Sequence, residues 1–197
     1  MKALILVDLQ NDFLPGGALP VAKGNVILPI INQIQRKFNL IIATKDFHPP
    51  NHISFTATHP KNSVGDCIST SNGPQIIWPI HCVQGTEGSE FSPLLDTSTI
   101  HTIFYKGTQA NIDSYSTFFD NARLHSTGLD HFLKEKGIKQ LYFAGLATDY
   151  CVKFSVLDGL YLGYKCHVIT DACKGIDLNK GDIQEALNTM SAQGASL

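Results

Sequence analysis

Five short, almost wholly apolar runs recur along the chain and limit its fold more than any other feature: ALILV (3–7), LIIAT (40–44), TIFYK (102–106), QLYFAG (140–145) and CHVIT (166–170). Runs of this length without polar alternation fit strands buried on both faces, as in parallel sheets covered by helices. The segments between them have helical period. Ile27, Ile31, Ile34 and Phe38 share one helical face, and Pro29 is tolerable in the first turn after Asn25. Thr127 and Asp130 are spaced as a capping box ahead of Leu129, Phe132 and Leu133, and Gly137 stops that helix. Thr148 is placed to cap a helix carrying Val152, Val156 and Leu160, ended by Gly163, while Ile183, Ala186, Leu187 and Met190 mark a last helix. The alternation predicts an α/β three-layer sandwich with a mostly parallel central sheet flanked by helices. At 197 residues, 43% of them hydrophobic, with no break in composition, the sequence predicts one domain over 1–197.

Fifteen basic and 17 acidic side chains are mixed along the sequence, for a net charge of -2. That leaves no electrostatic footprint for nucleic acid or an anionic membrane, and it points to a small-molecule partner. Self-association into a homo-oligomer is left open. The first apolar run is broken by Asp8, too early for a signal-peptide core or a membrane span. Cys67, Cys82, Cys151, Cys166 and Cys173 are odd in number and form no C-x-x-C pair, so free thiols in a reducing cytoplasm are expected.

Parallel α/β sheets bind ligands outside the carboxyl ends of their strands. Here the runs end in Asp8, Lys45-Asp46 and Lys106, and the fourth leads through Gly145 to Cys151. With Thr148 as cap, Cys151 takes the third helical position, where backbone amides and the helix dipole favour a thiolate. A buried structural thiol is the alternative, and it is the reading taken for the other four cysteines. A cysteine nucleophile needs a base and a cation, which Asp8 and Lys106 can supply. A plain salt bridge between adjacent strand ends is equally consistent with those two residues.

The one stretch without strand or helix pattern runs from about 47 to 98 and is rich in Pro, Gly, Ser, Asn and His. A loop this long inside a compact domain is usually functional or disordered, and its histidines and the only tryptophan favour function. Asp46 and His48, two apart on extended chain, point the same way, and with His52 and His81 they form a donor set suited to zinc, iron or manganese. Phe13, Trp78 and Tyr115 lie beside this site in sequence order, where a planar ring substrate would give them work beyond core packing.

The segments LVDLQNDF (6–13), TKDFH (44–48), WPIHCVQGTEG (78–88), FYKG (104–107) and GLATDYCV (145–152) resemble the nicotinamidase/pyrazinamidase family of isochorismatase-like hydrolases. The match runs in order from Met1 to about Ala172. The resemblance implies a Rossmann-like fold and an amidase that converts nicotinamide to nicotinate and ammonia through a cysteine thioester, with pyrazinamide as a further substrate. The catalytic residues it implies are Asp8, Lys106 and Cys151, with the amides of Ala147 and Cys151 as oxyanion hole and a cis peptide before Ala147. It also implies one divalent metal ion, zinc before iron or manganese, on Asp46, His48 and His81, with His52 a further candidate ligand. The substrate pocket it implies comprises Phe13, Leu19, Trp78, Tyr115 and Tyr150. Relatives usually continue past the last helix into another strand, so SAQGASL is expected to hold at most a short one. A related amidase acting on another aromatic carboxamide and an inactive binding module are the competing readings.

Overall fold

The computed structural model describes Met1 to Leu197. The five apolar runs form strands, and the alternating register of their side chains builds two cores. In chain order the elements are β1 (Lys2–Val7), α1 (Ile27–Gln35), β2 (Ile41–Asp46), β3 (Cys67–Thr70), β4 (Gly73–Ile76), β5 (Thr102–Lys106), α2 (Leu129–Glu135), β6 (Gln140–Leu146), α3 (Lys153–Tyr161), β7 (Lys165–Lys174) and α4 (Asp182–Ala192). Strands β5-β2-β1-β6-β7 make one sheet in that order, every pairing parallel. On one face Ala3, Ile5 and Val7 pack with Leu129 and Leu133 of α2, Val156 of α3 and Met190 of α4. On the other, Leu4 and Leu6 pack with Ile27, Leu28 and Ile31 of α1. This is the expected three-layer sandwich. None of its helices is long and apolar enough to cross a membrane.

Three local expectations are corrected. The capping box at Thr127 is not formed: Gly128, at φ +89, occupies the cap position of α2, and Asp130 bonds Lys134 and the Tyr164 hydroxyl instead. Thr127 still serves the helix start, because its hydroxyl accepts from the Leu129 amide. Thr148 does not cap α3 either. It opens a π-helical turn, Thr148–Val152, whose cap is Ala147. Finally, the 47–98 stretch is not structureless, since β3 and β4 pair as an antiparallel hairpin inside it. GPQI has no β-branched alternation, which is why its pattern hid the strand. Beyond α4 a single parallel bridge, Ser196 to His167, is all the strand that SAQGASL forms.

The chain runs outward from β1 through β2 to β5, then returns to the other side of β1 as β6 and β7. Strand order therefore reverses between β1 and β6, and a crevice opens there at the carboxyl edge. Asp8, immediately after β1, takes a left-handed conformation at φ +51. Gly145 lies next to it on β6 at φ +133, and a Cβ there would sit 2.1 Å from the Val7 carbonyl oxygen. Only glycine lets the two strand ends close up at the crevice.

Candidate active site

Asp8, Lys106 and Cys151 meet at this crevice. Lys106 does not come from a strand next to β1, because β2 separates β5 from β1. Its side chain passes the end of β2 to place Nζ 2.9 Å from Asp8 Oδ2, 3.0 Å from Asp46 Oδ1, 3.0 Å from the Ser114 carbonyl and 3.4 Å from Cys151 Sγ. Asp8, Asp46, Lys106 and Cys151 are all buried. Burial opposes the Lys106 ammonium, but the Asp46 and Asp8 carboxylates outweigh it and hold its pKa well above the ordinary lysine value. The two carboxylates thus favour the charged form of this buried lysine.

The same environment sets the other two residues. Burial pushes the Asp8 carboxyl up, Lys106 pulls it down, and the net result is a raised pKa. Thr44 donates to Asp8 Oδ1 at 2.7 Å, and Oδ2 lies 2.9 Å from the Lys106 ammonium. Burial also pushes the Cys151 thiol well above its ordinary value; Lys106 pulls it down, but Asp8 and Asp46 push the same way as burial. Burial thus opposes the thiolate that a helix start would favour, and a base is needed to draw the proton off. A thiol beside a carboxylate whose basicity burial raises is placed to hand its proton over on attack.

Ala147 follows the cis Leu146-Ala147 peptide, as the resemblance implied, and no protein group accepts from its N–H. Its carbonyl accepts from the amides of Tyr150 and Val152, so the π-turn closes on it. The turn thereby presents Cys151 four residues after the free N–H.

The long loop delivers the histidines by pairing along the extension of β2. His48 bridges Val83, the His48 amide donates to the Cys82 carbonyl at 3.0 Å, and Phe55 bridges Trp78. His48 Nε2 lies 3.0 Å and His81 Nε2 3.5 Å from the same atom, Asp46 Oδ2. Backbone carbonyls fix both tautomers: His48 Nδ1 faces the Gly107 oxygen at 2.9 Å, and His81 Nδ1 faces that of Pro79 at 2.7 Å. With each Nδ1 carrying the donated hydrogen, both Nε2 lone pairs and a carboxylate oxygen converge on one point. Three mutually repelling donors there fit a divalent cation. Gly107, at φ +63, permits the carbonyl's approach, since a Cβ on it would come within 2.4 Å of the His48 ring.

His52 stacks on His48 with ring centroids 4.0 Å apart, but its nitrogens face Ser54 Oγ at 2.8 Å and the Ile112 carbonyl at 3.3 Å. Its donor atom groups with His48 and Asp113 rather than with Asp46 and His81. Burial, then His48, lowers its pKa to about 4, so it is a neutral ring locked by the loop.

All five expected pocket residues, Phe13, Leu19, Trp78, Tyr115 and Tyr150, line one cavity with Ala147, Cys151, Asp46 and His81. Asp113 and Ile176 line it too and were not anticipated. Other supports missed from sequence are Gln10, which bonds both the amide and the carbonyl of Asp46 at 2.8 and 2.7 Å, and Asp12, which accepts from the Cys82 amide at 2.7 Å. Both lie inside LVDLQNDF, where two polar residues beside a buried strand end were the available signal. Cys166 and Cys173 are buried thiols pushed to about 12 by burial, as their structural reading requires.

An acid, a cation and a thiol at the switch point of a parallel sheet define a class of α/β proteins built for nucleophilic attack on an acyl carbon. The chain belongs to the isochorismatase-domain family, whose sequence signature matches residues 2–197. It is 48% identical to the nicotinamidase of Acinetobacter baylyi over 98% of this chain and 89% of that one. The solved Acinetobacter baumannii nicotinamidase/pyrazinamidase superposes with a TM-score of 0.96 at 46% identity, covering 99% of this chain and 94% of that one. A Pyrococcus horikoshii pyrazinamidase, solved in complex with zinc, does so with a TM-score of 0.80 at 39% identity, covering 99% and 97%.

Two outcomes are expected. Lys106→Met leaves two carboxylates buried without their cation and should cost about 3–5 kcal/mol of stability by urea denaturation. His52 binds a proton more readily unfolded, near 6.5, than folded, near 4, so acidification through that window favours the unfolded state. Stability should fall by up to roughly 3 kcal/mol as pH drops from above 6.5 to 4, and His52→Asn should flatten that fall.

Proposed function

We propose that this chain is a single-domain, cytoplasmic nicotinamidase, hydrolysing nicotinamide to nicotinate and ammonia in NAD salvage and accepting pyrazinamide as well. The observation that carries this reading is the Lys106 ammonium, in contact at once with Asp8, Asp46 and Cys151. It binds a nucleophile and its base to a donor set for a metal, at a cavity walled by Phe13 and Trp78. An inactive binding module would have no reason to keep all three reactive residues, and nothing in the site favours it.

In the reaction, Asp8 Oδ2 takes the thiol proton as Cys151 Sγ attacks the carboxamide carbon. The developing oxyanion is met by the N–H of Ala147 and that of Cys151, each such donor contributing roughly 3 kcal/mol to the transition state. Lys106 remains protonated and offsets the negative charge that moves from Asp8 to sulfur and on to the oxyanion. Asp8 then returns the proton to the leaving nitrogen, and ammonia departs. Asp8, again a carboxylate, removes a proton from water as it attacks the thioester, and nicotinate is released with the thiol restored. Asp46, His48 and His81 would hold the divalent ion, zinc in this reading, which when bound supplies a Lewis-acidic anchor for the ring nitrogen. Phe13 and Trp78 hold the ring between them, with Leu19 and Tyr115 closing the pocket around it.

Cys151→Ala should lower ammonia release from nicotinamide by roughly 10³-fold or more, whereas a rate within tenfold of wild type would remove the nucleophile from the scheme. For the metal, zinc content by atomic absorption is the readout. His48→Ala and His81→Ala should retain little zinc, and His52→Ala should retain it; loss of zinc only in the His52 variant would reassign the ligands.

A further inference from the structure

The catalytic cavity has a free volume of only about 20 Å³. That is room for about one water molecule, far short of a pyridine ring with its carboxamide. Next to it, between the β3–β4 hairpin and helices α3 and α4, lies a groove of about 580 Å³. Only Tyr115 and Tyr150 line both spaces. The two rings are therefore the wall between the cavity and the groove.

They are not held alike. Tyr115 is anchored, its hydroxyl accepting from Trp78 Nε1 at 3.1 Å and its amide donating to Asn121 Oδ1 at 2.9 Å. Tyr150 is half-buried and stands edge-on to Trp78 at 5.0 Å and to Tyr115 at 5.4 Å, held by ring contacts that a rotamer change would release. It also sits on the π-turn directly before Cys151. The groove beyond it has apolar walls in Pro74 and Ile76 on the hairpin side and Phe154 and Leu157 on α3, with Asp149, Lys153, Asp182 and Glu185 also lining it.

We propose that this groove is an outer subsite of the same active site, that the Tyr150 ring is the partition between them, and that this partition sets the upper size limit on the substrate. The subsite would take a flat apolar substituent on the ring of a pyridine carboxamide. The proposal rests on the amidase reading, and Tyr150 excludes such substrates while leaving room for the unsubstituted ring when it turns aside.

The test compares nicotinamide with 5-phenylnicotinamide on the zinc-loaded protein. Ammonia release gives kcat/KM, and quenching of Trp78, the only tryptophan, gives Kd independently of turnover. Tyr150→Ala and the bulkier Tyr150→Val are both used, so that a variant with near-native Tm is at hand. Either should raise kcat/KM for 5-phenylnicotinamide about tenfold or more over wild type, and Tyr150→Ala/Leu157→Trp, which refills the groove, should abolish that gain. A folded variant that discriminates as wild type does, or a gain that survives Leu157→Trp, overturns the partition. Should wild type fail to deamidate nicotinamide, the functional reading falls, and the partition stands or falls on quenching: tighter binding of 5-phenylnicotinamide by Tyr150→Ala supports it, and an unchanged Kd overturns it.

Discussion

The ammonium of Lys106 is the interaction on which the site depends. Removing a charge of this kind from water costs several kcal/mol even after relaxation, and only close counter-charges and hydrogen bonds repay it. Asp8 Oδ2, Asp46 Oδ1 and the Ser114 carbonyl, each within 3.0 Å, supply them. The arrangement then constrains everything near it. Asp46 gives one oxygen to the lysine and the other to two histidines, so nucleophile and metal donor set share one carboxylate. Burial and two carboxylates together outweigh one cation at 3.4 Å and raise the Cys151 pKa.

That cluster exists because of sheet order. β5 and β1 are second neighbours, and the long, flexible lysine side chain carries its cation across the end of the intervening β2. Asp46 and Lys106 are register partners, which aligns the lysine with the carboxylate it passes. On the other side of β1, the reversal of strand order opens the crevice into which the π-turn aims Cys151. The loop between β2 and β5 is pinned rather than floppy. Its isolated parallel bridges His48–Val83 and Phe55–Trp78 hold the loop against itself, and Gln10 and Asp12 tie it back to the end of β1.

Much of this was legible beforehand. Each apolar run became a strand with its ends displaced by no more than a few residues, because burial on both faces leaves an unmistakable composition. The expectations that failed concern competition among local options. Thr127 and Thr148 are both good cap residues, yet a left-handed Gly128 and a π-turn closing on Ala147 took the cap positions. A cap's worth of about 1 kcal/mol is easily overridden by the packing around a site. The β3–β4 hairpin carries little apolar pattern because its exposure alternates only weakly, so its sequence reads as loop.

By itself the sequence determined the strands, the helices, the candidate residue types and their place at strand ends, because hydrophobic period and strand termination are local properties. The tertiary structure alone decided which of those residues meet. Asp113 and Ile176 enter the cavity, His52 turns its nitrogens to Ser54 and Ile112, and burial raises the Cys151 thiol pKa. These outcomes depend on strand order, on register and on the summed field of buried charges far apart in sequence, and no window of residues encodes a distance between them.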